Sequence, residues 1–578
     1  MLNPTLVNAD SVQPGEQPGE QPGAAAATPV RHLRQVLLWP LRLMPVAAAA
    51  GSADAAHRRP WELLREMGSA SPWREERDEY TGDTSRFHER HYNEFVTFLP
   101  YVQRLLYGEG RTRQSGDGFT DAAAESPMRV FRRHDIAQVR LTAKPGDVPV
   151  TADIVHVDLY FFYDLDVVLL NIELAADEIT LAQAQEMLYR FGRGYPAGWD
   201  AQGLALHTMA KVEWLGRKGE GEAEVLAESD SQQRDAFLAH VAEHRAPRIA
   251  AHWAFVLEPL VADHSGRDGA LRYRQIEYYR MPMMAYLALD EPRALARNDF
   301  VRLGLVTGGG ADLPYAEQHL SDFEQRFCYD RFWAGVGAAP NTRYLCSGHS
   351  LVVVGDARAE FFRCRDRGVL AQFRHQHFLL FLIAHLQKAA LLMFSDRLVE
   401  ALKRLDVNHP SSVKKFKRAI RASFEGFLRF THRYWFHEIA EQAHSRALFH
   451  MCAKHLELDP LYAEVKERIA DMNTYLDADS LRRQANTVVR LTVVTILGLI
   501  GTVTTGFLGM NLIAEADASV AARIAMFVGV FLLTIVLTMY TIAKSRRLSD
   551  FLDALAEERF SLRHKVGALL AVWRRGAD

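Results

Sequence analysis

The chain has 578 residues, 24% charged and 48% hydrophobic, with 68 Lys+Arg against 71 Asp+Glu and a formal net charge of -3. That length predicts several domains, the globular composition excludes wholesale disorder, and the balanced charge gives no electrostatic reason to expect a nucleic-acid partner. Four cysteines (Cys328, Cys346, Cys364 and Cys452) without a Cys-x-x-Cys spacing make neither a disulfide scaffold nor a closed zinc site.

Residues 1–59 read as a low-complexity tail. Their Gln-Pro-Gly-Glu repeat and alanine run bury too little apolar area to offset the entropy of ordering. Within this stretch Val36–Ala50 is apolar but interrupted by Pro40, Arg42 and Pro45, and its 15 residues are too few to span a bilayer. An amphipathic or packing segment is the reading that fits. From residue 60 to 370 an α/β (or α+β) domain is expected. Val139–Thr142, Ile154–Phe162, Val167–Leu174 and Tyr344–Val354 carry the β-branched and aromatic content of strands, and Thr180–Arg193 has helical spacing. Residues 371–486 read as a helical stalk. One helix is expected over Gln372–Leu405, a second from Pro410 through Arg433-Tyr434-Trp435-Phe436 to about Leu456, and a third from Asp459-Pro460 onward without a stop signal.

Residues 487–546 are expected to hold two transmembrane helices, at about 488–508 and 523–543, with a short external loop between them. Leu491–Leu508 is an uncharged run of 18 residues and Ile524–Ala543 one of 20, both matching the roughly 20 residues that cross ~30 Å of hydrocarbon. Arg482, Arg483 and Arg490 precede the first run, and Lys544, Arg546 and Arg547 follow the second. Positive flanks stay inside, so both termini are expected on the cytoplasmic side of a bacterial-type inner (plasma) membrane. Residues 547–578 read as a cytoplasmic C-terminal helix with an apolar side. Its basic residues suit an anionic lipid surface.

The first span carries a pattern. Helical steps of three and four put Val488, Leu491, Thr495, Leu499 and Thr502 on one stripe, in which hydroxyls alternate with apolar side chains. In a ring of parallel helices such a stripe lines an axial passage. The plainer reading is that intramembrane threonines bond their own backbone. Past the stripe comes Gly509-Met510-Asn511. A Gly-Met-Asn closing the first of two C-terminal spans resembles the CorA family of divalent-cation channels. The resemblance runs over about Arg482–Arg547, through Arg490-Leu491-Thr492-Val493-Val494, Thr502 and Gly506-Phe507-Leu508-Gly509-Met510-Asn511-Leu512. It continues more weakly back to Arg433-Tyr434-Trp435-Phe436, and residues 1–370 match no motif of the family.

The resemblance implies a homopentamer in the lipid bilayer, with the first span of each subunit lining the pore and a ring of Asn511 receiving hydrated Mg²⁺. It implies no enzyme activity and no resident cofactor. Thr502 would form a polar ring deeper in the pore, and Leu499 and Leu491 would sit at constrictions. The chemistry is consistent, because Mg²⁺ sheds water reluctantly and suits neutral oxygens that bond its water shell. Several positions depart from the family pattern. Leu508 stands where an aromatic residue often precedes the Gly-Met-Asn, Leu499 replaces a common methionine, and Ala485 aligns with a frequent asparagine. The external loop offers Glu515 and Asp517 without the family's acidic-proline run. These departures bear on the metal, leaving Co²⁺ or Zn²⁺ transport, of the kind that includes proton-coupled members, as the alternative within the family. A membrane-anchored cytoplasmic enzyme or sensor is the alternative outside it.

Four further groups are candidates for chemistry. The acids Asp158, Asp164, Asp166 and Glu173 read as a solvated strand rim or as a place for a regulatory cation. His437, Glu441 and His444 share one face if the second stalk helix is continuous, whereas His375 and His377 fall on opposite faces. Thr307-Gly308-Gly309-Gly310 lacks the spacing of a nucleotide fingerprint and reads as a turn.

Overall fold

A computed structural model describes residues 28–45, 59–76, 88–108, 126–218, 222–277, 279–308, 315–406, 410–509 and 519–556. The chain forms two compact units, Met1–Lys466 and Glu467–Asp578.

The first unit is built on a mixed 14-stranded sheet flanked by helices. Its strands are β1 (Pro29–Leu43), β2 (Trp73–Glu75), β3 (Met128–Arg133), β4 (Gln138–Thr142), β5 (Val150–Phe162) and β6 (Val167–Thr180). They continue with β7 (Lys211–Lys218), β8 (Glu222–Glu228), β9 (Val261–Ala262), β10 (Arg272–Gln275) and β11 (Met283–Leu289). The last three are β12 (Cys328–Tyr329), β13 (Arg343–Cys346) and β14 (Ser350–Asp356). The main path runs β12-β13-β14-β11-β1-β6-β5-β4-β7-β8. Neighbours are antiparallel except the parallel pairs β11–β14 and β9–β10.

The central strand is β1, hydrogen-bonded to β6 on one side and to β11 and then β10 on the other. This corrects the expectation of a tail through residue 59. The apolar run around Val36 is the middle of the domain's sheet. Both parities of β1 are apolar because both faces of the strand are covered. Leu33, Leu37, Trp39 and Leu41 join a core cluster with Leu181, Ala184 and Leu188, while Arg34 and Val36 face the opposite side. Pro40 is tolerated in so central a strand because of where its missing N–H falls. Leu38 N donates to Pro282 O and Met44 N to Arg272 O, so position 40 faces the gap where the neighbour changes from β11 to β10.

The expected strands over Val139–Thr142, Ile154–Phe162 and Val167–Leu174 are present, the last two as parts of longer β5 and β6. Tyr344–Val354 is a hairpin rather than one strand, because Gly348 at φ 83° turns the chain between β13 and β14.

The helices that frame the sheet follow from local signals. Among them are α1 (Glu89–Thr97), α2 (Pro100–Tyr107), α3 (Leu181–Arg190), α4 (Phe378–Lys403), α5 (Pro410–Arg433) and α6 (Ala443–His455). Thr180 caps α3, its hydroxyl accepting from Gln183 N at 3.2 Å while Gln183 returns a bond to Thr180 N at 2.9 Å. Ahead of α4, Phe373–His377 forms a five-residue π-helical turn.

Val369–Lys403 is long and apolar enough to cross a membrane, but 83% of its most apolar window is buried in the domain. It lies on β1 and β6 as a core helix. The stalk expected from residue 371 therefore starts within the sheet domain, and the boundary between units falls at Lys466.

The second expected stalk helix is broken at Arg433. Tyr434 and Phe436 turn into the core, and Gln387 of α4 donates to their carbonyls at 3.0 and 3.2 Å, satisfying backbone groups that a helix would otherwise pair. His437 and Glu441 lie in this non-helical stretch, so the shared face with His444 does not exist.

The third expected helix is continuous. α7 spans Leu458–Gly509, and after residues outside the description α8 spans Val520–Ala556. α8 carries the second expected span straight into the first part of the expected C-terminal helix, and the rest of that segment, 557–578, lies outside the described residues.

Candidate functional sites

In the second unit, α7 shows which of its faces is packed. A Cβ on Gly501 would collide with the Thr534 methyl of α8, so the two helices touch there without a side chain between them. Val494, Leu497 and Thr505 are half-buried on the same face. The stripe lies about 120° round the helix from Gly501, at 100° per residue. Val488, Leu491 and Leu499 are 62–65% exposed, and Thr495 and Thr502 are exposed beside them. In α8, Val520–Leu537 is long and apolar enough to cross a membrane and none of that window is buried; Thr487–Leu499 of α7 is a shorter apolar stretch. So much exposed apolar surface requires a cover of lipid or of other chains.

The stripe's hydroxyls are engaged with their own helix, as the plainer reading holds. Thr495 Oγ1 donates to Leu491 O at 2.8 Å and Thr502 Oγ1 to Gly498 O at 2.9 Å. Each hydroxyl has thereby used its one donor and keeps its acceptor lone pairs. Gly509 ends α7, whereas Met510, Asn511, Glu515 and Asp517 lie outside the described residues.

In the first unit a second site lies on the sheet face covered by α1, α2 and the π-helical turn. Alternate residues of four neighbouring strands project there: Arg132 of β3, His156 and Asp158 of β5, Asn171 and Glu173 of β6, and Arg34 of β1. Arg132 grips Asp158 with two bonds of 2.7 and 3.2 Å. Glu173 accepts from Arg34 at 2.6 Å and from Arg374 at 2.8 Å, the latter reaching down from the π-helical turn. Opposite them Glu94 of α1 accepts from Tyr107 at 2.7 Å and lies 3.1 Å from His375. The groups surround a cavity of about 560 Å³.

Burial alone would raise the Glu173 carboxyl, but Arg374, Arg34 and His156 hold it below the ordinary carboxylate range. His156 is pushed down by burial and by Arg132. Three buried atoms among these residues, Asn171 Oδ1, His156 Nδ1 and His375 Nε2, have no hydrogen-bond partner. Glu173→Ala would leave one buried and one half-buried guanidinium group, those of Arg34 and Arg374, without their shared counter-charge. A loss of about 3–5 kcal/mol of unfolding free energy is expected, with Glu173→Gln losing less. Denaturant titration followed by circular dichroism measures this, and an unchanged midpoint would contradict the assignment.

The four acids expected at one place therefore separate. Asp158 and Glu173 are buried in the cleft. Asp164 and Asp166 lie in the β5–β6 turn, where Asp164 pairs with Arg433 at 2.8 Å and Asp166 with Arg397. His375 and His377 do diverge: His377 packs against His444 and Tyr344, ring centroids 5.1 and 5.6 Å away. Among the described residues no group of three or more His, Cys, Asp or Glu side chains is disposed to hold a metal ion. Sequence reasoning missed Arg34, Arg132 and Arg374. The signal available was polar or charged residues recurring at every second position of otherwise apolar strands, as in His156-x-Asp158 and Asn171-x-Glu173.

Comparison of the chain with protein-family models, with curated proteins and with solved structures finds no match.

Proposed function

We propose that this protein is a CorA-type inner-membrane channel, a homopentamer that passes Mg²⁺ or a similar divalent cation inward. The observation that carries the reading is the stripe of α7. It runs unpacked along the helix, away from the α8 contact, and leads directly to Gly509 and the Gly-Met-Asn sequence.

The stripe's chemistry favours a hydrated cation over an anion. A metal's water shell presents hydrogens outward, and threonine oxygens whose own protons are bonded to the helix can only accept them. Leu491 and Leu499 between the hydroxyl levels would close the passage by dewetting. The charge pattern around the two apolar runs supports termini on the cytoplasmic side. Inward movement of two charges is then favoured by roughly 4.6 kcal/mol per 100 mV, without ATP.

The test is divalent-ion flux into liposomes holding the purified full-length protein. Mg²⁺, Zn²⁺ and Co²⁺ are compared with membrane potential and pH gradient set separately. Potential-driven Mg²⁺ entry is expected. Zn²⁺ entry that follows the pH gradient would move the assignment to a proton-coupled transporter. No flux from folded, oligomeric protein would overturn it in favour of an anchored sheet domain.

A further inference from the structure

The ion pairs in the sheet-face cavity leave part of its arginines unused. Arg132 spends Nε and Nη2 on Asp158, and Arg374 spends Nε on Glu173. Arg132 Nη1 and both Nη atoms of Arg374 have no acceptor among the described residues. Arg90 of α1 lines the same cavity and donates from Nε to the neighbouring His91 at 3.3 Å, so its two Nη atoms are open as well. These ends are within reach of a ligand, because the Arg132 and Arg374 side chains are 26% and 17% exposed and Arg90 is half-buried. The carboxylates that pair with them are sealed, Asp158 at 1% exposed and Glu173 at 7%. The acids therefore hold the guanidinium groups in place, while the accessible ends of the pairs are the cations.

The other two acids of the lining are engaged, Glu94 with Tyr107 and His375, and Glu76 with Arg132 at 3.7 Å and His134 at 3.4 Å. Arg132 on the sheet and Arg374 on the π-helical turn both act on the charge of His156, so the two guanidinium groups come close to one imidazole. Guanidinium groups with N–H donors to spare suit an oxyanion. A phosphate matches three of them better than a carboxylate does, because it carries up to about two charges and three acceptor oxygens. Leu106, Met128, Phe378 and Leu379 give the cavity an apolar wall, and about 560 Å³ leaves room for an organic body beyond the phosphate.

We propose that this cavity binds a small phosphomonoester, with Arg90, Arg132 and Arg374 holding the phosphate and the apolar wall receiving the rest of the molecule. The site is independent of the transport reading, since every residue in it belongs to the sheet domain.

The test is isothermal titration calorimetry of the full-length protein in detergent and a phosphate-free buffer, with phenyl phosphate as the probe. Saturable binding is expected, competed by inorganic phosphate, with phenol and benzoate each at least about tenfold weaker. Arg374→Gln is expected to weaken the probe by about tenfold or more, which is 1.4 kcal/mol per decade. Arg90→Gln gives up no ion pair among the described residues, and should weaken the probe by about threefold or more with the circular dichroism unchanged. It decides the matter even if Arg374→Gln fails to fold. No binding at about 10 mM probe, phenol or benzoate binding as tightly as phenyl phosphate, or unchanged affinity in folded Arg90→Gln would each overturn the proposal.

Discussion

Asn511→Ala is expected to reduce divalent-cation uptake to the background of empty liposomes while the oligomer, measured by light scattering in detergent, stays intact. The expectation rests on the proposed channel. In a pore that takes cations with their water, selection depends on a fixed ring of acceptors at the mouth rather than on direct ligation. An amide oxygen is such an acceptor and a methyl group is not. The substitution removes the ring without touching the stripe of α7, whose packing contact with α8 is at Gly501. Thr502 would still offer its oxygen below, yet an ion must first lose the company of bulk water at the mouth. Uptake equal to wild type from an intact assembly would refute the role of Asn511.

The sheet domain is expected to lose its native state as the pH falls from about 6.5 toward 4. Five histidines, three buried and two (His349 and His444) half-buried, have proton affinities far below the ordinary value, and loss of solvent is the main cause for each. His252 is pushed down to about 3, His349 and His444 to about 4, and His377 and His385 well below 6.5. His444 lowers His377 further, Lys388 and Arg280 lower His349, and the Phe381 carbonyl opposes the shift at His385. A depressed affinity in the fold means that the unfolded chain takes the proton first. Stability is therefore full above about pH 6.5 and declines below it, by about 1.4 kcal/mol per pH unit for each histidine, until the folded-state value is reached. Glu277 acts in the opposite direction, since burial raises its carboxyl, but it is one group against five. Tryptophan fluorescence across the pH series measures the transition. His385→Leu fills a fully buried site with an apolar side chain of similar size and should move the midpoint to lower pH. A flat signal between pH 7 and 4.5 would contradict the account.

Much of this organisation was legible in the sequence because it is local. A β-branched run announces β5 and β6, Thr180 with Gln183 announces the start of α3, and the absence of any stop signal after Pro460 announces the unbroken α7. The exposed stripe follows from helical spacing once α7 is known to be a helix. The same locality explains the errors. Pro29–Leu43 sits beside a low-complexity repeat and contains Pro40, yet its partners lie at Val167–Thr180 and Met283–Leu289, far along the chain. Tyr434-Trp435-Phe436 has helical character by itself, but Gln387 of another helix captures its carbonyls.

The sequence by itself determined the two apolar runs, their basic flanks, the threonine stripe and the Gly-Met-Asn, because period and charge need no partner to be read. Only the tertiary structure decided that Asp158 and Glu173 are buried and paired while Asp164 and Asp166 stay at a turn. It alone decided that Val369–Lys403 is a core helix and that Glu277 is buried beside Lys388. The reason is physical: burial and pairing are properties of what the fold brings near, and a carboxylate's neighbours across a sheet are set by register rather than by adjacency in the chain.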